Sequence, residues 1–233
     1  MEPKKLLEIN GSVEEANMMR RGRPHRRVIV WFRRDLRIED NPALLAAATL
    51  ADEVLPVYIY VPEEEGQFQP GRCSRWWLTC SLRSLDTQLQ DMGTKLLCFR
   101  GTESLKVLEH LVDTLNVDAV FFNHLYDPIS MVRDNEVKQG LLDKRLVCRS
   151  FNGDMLREPW EVVQEEDKSP FSSFESFWSA HQAIKQDPPP PAPAPEILPG
   201  INVSVNHLEV DQIGIMSQEE ESSNSQLEIH VGL

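Results

Sequence analysis

The order of apolar segments along the chain predicts an α/β fold, a parallel sheet with helices on both faces. Three observations carry that prediction. Five strand-like runs alternate with four patterns of helical spacing, the arrangement that crossover helices impose on parallel strands. The first run, VIVWF (28–32), is apolar throughout, as a strand buried on both faces must be. Two helix starts, Asn41-Pro42 and Asp127-Pro128, each follow a strand and its loop. They place an Asx acceptor at the N-cap and proline at the first helical position, where its missing N–H costs nothing.

The strand-like runs are Val28–Phe32, Val54–Val61, Lys95–Arg100, Ala119–Asn123 and Leu146–Phe151. Between them, Pro42–Leu50 is rich in Ala and Leu with little β-branching. In Arg72–Met92, residues Leu78, Leu82, Leu85, Leu89 and Met92 step by four and three and form one stripe. Gly93 stands where a helix C-terminus favours a left-handed residue. The segment Glu103–Leu115 aligns Leu105, Leu108, Val112 and Leu115, with Thr102 as a candidate N-cap. The last pattern runs from Pro128 to about Leu142. Both Asx-Pro starts fall at the carboxyl edge of the sheet, where open α/β folds bind ligands.

The flanks read differently. Residues 1–26 show no sustained period and read as a flexible basic arm; residues 27–160 read as the α/β domain. Residues 161–186 read as a connecting segment whose Phe171, Phe174, Phe177 and Trp178 have the spacing of a short aromatic helix. The run DPPPPAPAPEILPG (187–200) favours extended polyproline II. With the acidic stretch after it, 187–233 reads as a Pro-rich linker and disordered tail.

The charge of −13 is uneven. Residues 1–27 hold seven Lys/Arg against four Glu, while 187–233 hold eight acids and no Lys or Arg. An acidic body does not attract phosphate backbones non-specifically, so direct DNA binding is not expected. No apolar run reaches the length of a membrane span, and the N-terminus has neither a secretory h-region nor the acid-poor composition of a transit peptide. An intracellular protein, nuclear or cytoplasmic, is the expectation, with RRGRPHRR (20–27) as a candidate nuclear signal. The four cysteines have no C-x-x-C spacing and read as free thiols. No G-x-G-x-x-G follows the first strand, and no Walker or G-x-S-x-G motif and no metal-ligand cluster is present.

The segment WFRRDLRIEDNPAL (31–44) resembles the opening strand and loop of photolyases and cryptochromes. PEEEGQFQPGRCSRWWLTCSLRSLD (62–86) and FFNHLYDPISMVRD (121–134) are similar to the plant cryptochrome branch, and FNGDMLREPWEV (151–162) extends the likeness. The resemblance covers about residues 28–185. It implies a Rossmann-like five-stranded parallel sheet of order 3-2-1-4-5. It implies a family of blue-light photoreceptors and DNA repair photolyases whose FAD lies in a second, helical domain, absent from this sequence. The FAD contacts and electron-relay tryptophans of the family lie in that domain. Trp76 and Trp77 are therefore expected to be packing residues. Positions that hold a folate antenna in some relatives correspond to Ile129 and Ser130, a departure that makes a folate antenna doubtful; another antenna chromophore stays open.

With that strand order the sheet reverses between its first and fourth strands, and two loops flank the switch-point crevice. In RRDLR, Arg33, Arg34 and Arg37, with Asp35 able to hold one of them, either bind a phosphate or carboxylate of a chromophore, dock a helical domain, or form a solvated loop. Asn41 caps the following helix beside them. In NHLYDP, Asn123, His124 and Tyr126 line the other side. His124 reads as a structural loop histidine or a proton-transfer group, and Tyr126 as an edge residue with an exposed hydroxyl or a stacking surface. No catalytic residue is assigned. The resulting expectation is the antenna and docking domain of such a photoreceptor, without photochemistry of its own. A helical flavin domain or full-length relative is its partner. The alternatives are FAD-dependent photolyase activity in full-length kin, or a stand-alone flavin- or nucleotide-binding module.

Overall fold

The structure, a computed structural model, describes residues 23–184, 187–188, 190–200, 205–217 and 220. Strands β1 (His25–Phe32), β2 (Ala51–Tyr60), β3 (Leu97–Arg100), β4 (Ala119–Asn123) and β5 (Val147–Phe151) form one sheet. The helices are α1 (Pro42–Leu50), α2 (Arg72–Asp91), α3 (Ser104–Leu115), α4 (Pro128–Asp143) and α5 (Phe174–Ala183). The strand order is β3-β2-β1-β4-β5, every pairing parallel, as expected.

Strand alternation divides the core into two halves. Val28, Val30 and Phe32 of β1 pack with Leu44 and Ala47 of α1 and Leu82, Leu85 and Leu89 of α2. Ile29 and Trp31 face the opposite way and pack with Leu108, Leu111 and Leu115 of α3 and Val137 and Leu141 of α4. The central strand is thus covered twice, which is why VIVWF shows no polar alternation.

Both Asx-Pro starts are caps. The Asn41 side chain accepts from Leu44 N at 3.0 Å, and that of Asp127 from Ser130 N at 3.0 Å. Gly93, at φ 84°, is the left-handed residue after α2. The start of α3 differs from expectation. Thr102 does not cap it; Glu64, far away in sequence, accepts from Ser104 N at 2.5 Å and from Ser104 Oγ at 2.6 Å. That glutamate sits on a 3-10 turn, Pro62–Phe68, which no periodicity in the sequence announced. Strand β1 begins at His25, so residues 25–26, read as part of the arm, belong to the sheet; residues 1–22 of that arm lie outside the described residues.

The expectation for 187–233 needs correcting over its described part. Leu198, Val210, Ile213 and Ile215 are buried in the α1/α2 half of the core. Val54 N donates to Pro199 O at 2.7 Å, and Leu208 N donates to Cys98 O at 2.9 Å, in an antiparallel bridge on the open edge of β3. Arg100 Nη1 reaches the carbonyls of Ile213 (2.9 Å) and Gly214 (3.1 Å). These residues form a strap. Proline keeps the incoming stretch extended and removes N–H donors that would need partners. A few isolated aliphatics then provide the burial. Residues 201–204 and 221–233 of the expected tail lie outside the described residues.

Candidate functional site

The predicted residues converge on the carboxyl edge of β1 and β4, but most of their polar atoms are committed to one another. Asn123 Nδ2 donates to Asp35 Oδ2 at 2.6 Å and to Asn41 Oδ1 at 2.9 Å, while its Oδ1 accepts from Ala43 N at 3.1 Å. Asn41 Nδ2 donates to Arg37 O at 3.0 Å, and Asp35 also accepts from Arg33 N at 3.1 Å. Asp35, Asn41 and Asn123 are buried. Each buried polar group in this web has a partner, as burial demands. The web ties the β1 loop, the start of α1 and the end of β4 into one unit.

Arg33 is buried beside it. Its guanidinium pairs with Asp134 of α4 and donates to the Asn123 carbonyl. It also packs 4.7 Å from the ring centroid of Trp31 and 4.6 Å from that of Phe122. Desolvation pushes its pKa below the usual arginine value, opposed by Asp134. Arg37 sits nearer the rim, donating to Gly153 O and to Asp40 O and lying 3.3 Å from Asp154. Arg34, exposed, lies 3.0 Å from Asp127 and 3.5 Å from Glu65.

His124 and Tyr126 form a second group with the 152–160 loop. Tyr126 Oη donates to Glu158 Oε2 at 2.8 Å, so its hydroxyl is engaged rather than exposed as expected. His124 Nε2 lies 3.4 Å from Ser150 Oγ and 3.8 Å from Glu158, and its ring meets the Trp160 ring edge-on at 6.0 Å. Burial, aided by Lys138, lowers the His124 pKa to about 4. Burial raises Glu158, opposed by the Tyr126 hydrogen bond, and raises Tyr126 as well.

A sign follows for stability. In the unfolded chain His124 protonates below about 6.5; in the fold it resists until about 4. Its contribution is complete above the unfolded pKa and is lost as pH falls through that window. Glu158, raised, has the opposite sign and offsets part of the loss. Acidification from pH 7 to 4 should remove about 2–3 kcal/mol through His124. Urea midpoints measured against pH should fall less steeply for His124→Asn; equal slopes would refute the assignment.

The open space lies one strand away from the predicted crevice. A cavity of about 470 Å³ sits over the carboxyl ends of β1 and β2. Its floor and walls include Trp31, Tyr58 and Tyr60, its roof is the Pro62–Phe68 turn, and the first turns of α2 bring Ser74, Trp77 and Leu78. Arg133 of α4 closes the β4 side. Of the residues predicted for the site, Arg33 and Arg34 line it. Trp77, expected to pack, is 67% exposed and presents its ring here. Tyr58, Glu64, Glu65, Phe68 and Arg133 were missed as site residues. The one available signal was the strand-to-helix segment 62–71, longer than a plain turn and carrying PEEEG. Among the described residues, no group of three or more His, Cys, Asp or Glu is placed to hold a metal, and no helix is long and apolar enough to cross a membrane.

Comparison with known proteins agrees with this architecture. The family model described as DNA photolyase matches residues 28–196. Cryptochrome-1 of Arabidopsis thaliana is 45% identical over 199 residues, 85% of this chain and 29% of that protein. The deoxyribodipyrimidine photo-lyase of Agrobacterium fabrum is 37% identical over 177 residues, 74% of this chain and 36% of that protein. The solved class III photolyase of Agrobacterium tumefaciens superposes with a TM-score of 0.74 at 33% identity, covering 85% of this chain and 40% of that one. An archaeal photolyase from Sulfolobus tokodaii, whose structure contains two FAD molecules and implies a novel light-harvesting cofactor, superposes at 0.63 with 25% identity, covering 80% of this chain and 40% of that one. The chain spans about a third of the length of the sequence relatives it matches.

Proposed function

The chain belongs to the DNA photolyase family, and from that premise we propose that its α/β domain is the antenna and docking half of a blue-light flavoprotein. The cavity of about 470 Å³ carries this reading. It lies at the carboxyl edge of a parallel sheet, where such folds bind ligands, and its volume falls within the range of small-molecule sites. Phe68 and Trp77 present exposed rings at this cavity, whose wall holds the buried rings of Trp31, Tyr58 and Tyr60, so a planar chromophore fits the residues present. When bound, such a group would absorb light and pass the excitation to a flavin. The residues of this chain would hold its ring and keep water from it. The flavin photochemistry of full-length relatives, whether repair or signalling, is assigned to their helical domain.

Docking is supported by a second surface. On α5 the rings of Phe174, Trp178 and His181 stack in a row, and Phe174 and Trp178 are largely exposed. Leu156 and Trp160 are exposed on the preceding loop. A helical flavin domain is the partner that would cover such apolar surface. Direct DNA binding by this half is not part of the reading.

One preparation tests both parts. An absorption spectrum of the purified chain, with the released ligand identified by mass, should show a near-ultraviolet or visible band at near-equal stoichiometry. Sedimentation of the same sample should show association that strengthens with concentration. A colourless protein that stays colourless after incubation with flavins removes the antenna role, and a strict monomer at high concentration removes the docking role.

A further inference from the structure

Away from the cavity, the strap covers a face with the character of a peptide site. It crosses the outer edge of the sheet, with Val205 packed against the α3/α4 half of the core and Leu208 against the α1/α2 half. Its aliphatic residues Val210, Ile213, Ile215 and Met216 are buried. Its acids meet cations. Asp211 lies 2.8 Å from Arg83 of α2, Glu209 lies 4.0 Å from Lys95, and Glu220 pairs with Arg75 of α2. Arg100 of β3 donates to the Ile213 and Gly214 carbonyls. Asp86 of α2 is already held, accepting from Leu96 N at 2.9 Å and from Gln90 at 2.7 Å. A chain with a net charge of −13 thus sets Arg75, Arg83, Lys95 and Arg100 along the path of one acidic segment.

The grip is assembled from separable parts. Among the described residues, one ladder bond, from Leu208 N to Cys98 O, joins the strap to β3. The Arg83 and Lys95 pairs are exposed, and pairs of that kind contribute little each. The aliphatic side chains carry the rest. An extended segment that pairs with an open sheet edge and seats its side chains in apolar pockets is a recurring mode of peptide recognition. Gly214 adds a requirement of shape. Its φ is 75°, and a Cβ there would come within 2.7 Å of Arg100 Nη1. Only a bare backbone at that point lets the guanidinium reach both carbonyls. The run LEVDQIGI (208–215) therefore displays what the edge selects: alternating aliphatic and acidic residues, then a glycine between two aliphatics.

We propose that the outer edge of β3 is a docking site for an extended acidic, aliphatic peptide of a partner protein, and that the strap is its resident occupant. A fluorescein-labelled peptide of residues 205–220, followed by anisotropy against the full chain at low salt, probes it. The Ile213→Asp chain, its own strap displaced, should bind the peptide at least about tenfold tighter than the unaltered chain, where the tethered strap competes at high effective concentration. Leu208→Pro removes the ladder N–H without burying a charge and should open the edge in the same way, so the loss of either fold leaves the other variant to decide. A peptide that keeps only the acids, the apolar residues and Gly214, with serine elsewhere, should bind within about threefold of the first. Glu209→Lys, Asp211→Lys and Glu220→Lys together in the peptide should weaken binding at least about tenfold, and Gly214→Val by a similar factor. Opened chains that keep their circular dichroism yet bind no peptide overturn the proposal, as does equal binding of the charge-reversed peptide. An unaltered chain that takes up no peptide at any concentration has a permanently closed edge, which overturns the docking role. A stable mixed dimer of the unaltered and Ile213→Asp chains that excludes the peptide gives the edge to a second copy of this chain and also overturns it.

Discussion

Arg33→Ala should cost about 3–5 kcal/mol of stability, a large share of what holds a domain of this size together. The guanidinium is buried, so its removal leaves the Asp134 carboxylate desolvated and without its main partner. The Asn123 carbonyl loses a donor, and the Trp31 and Phe122 rings lose the plane packed against them. The cost arises mainly from the orphaned charge, not from the worth of the pair. A double variant, Arg33→Met with Asp134→Leu, should therefore recover most of it. Urea unfolding of the three proteins measures both quantities. A loss below about 1 kcal/mol for Arg33→Ala would mean that water reaches Asp134 in solution.

Ile213→Asp should undock the strap. Ile213 is fully buried among apolar side chains of the α1/α2 half of the core, and Arg100, the cation nearest in the chain's contacts, is already engaged by the Ile213 and Gly214 carbonyls. Rather than bury a carboxylate there, the segment should leave, taking Val210 and Ile215 with it and breaking the Leu208–Cys98 bridge. The expected loss is about 3–4 kcal/mol, from aliphatic burial surrendered along the segment. Limited proteolysis should then cleave within 205–217, and the Leu208 amide should exchange with solvent far faster. Ile213→Val should leave both nearly unchanged. If Ile213→Asp resists proteolysis as the parent does, the strap is held by something other than its aliphatics.

These two residues also show what the sequence could reveal. The strands, the helices and both Asx-Pro caps were legible because each rests on a local signal, a period, a cap residue or an apolar run, whereas the strand order was implied only by the resemblance to the family. The ends of β4 and α1 were read to the residue, since Asn123 and Asn41-Pro42 mark them sharply. Ile213 was not legible. It caps a short 3-10 turn, Val210–Gln212, in a stretch with no sustained period, and its burial depends on Arg100 and Cys98, over a hundred residues earlier. Arg33 was named as a site residue, but no pattern in RRDLR distinguishes an arginine offered to a ligand from one already paired with Asp134. The cavity was displaced from the expected crevice for a similar reason. The web of Asp35, Asn41 and Asn123 fills the β1/β4 switch point, and the free volume lies instead under a 3-10 turn whose acids cap α3 and face Arg133.

The strap has a further consequence, in the order of events during synthesis. All five strands have been made once Phe151 emerges, yet Val54 waits for Pro199 and Cys98 waits for Leu208. Through that interval the outer edge of β3 is an unpaired row of N–H and C=O groups beside a half-covered core, the kind of surface that recruits other nascent chains. Such late, long-range closures are slow because the intervening chain must be gathered in before any contact repays the entropy. The yield of soluble protein is then governed by how quickly the last aliphatics arrive, and conditions that slow translation through residues 188–215 should lower it.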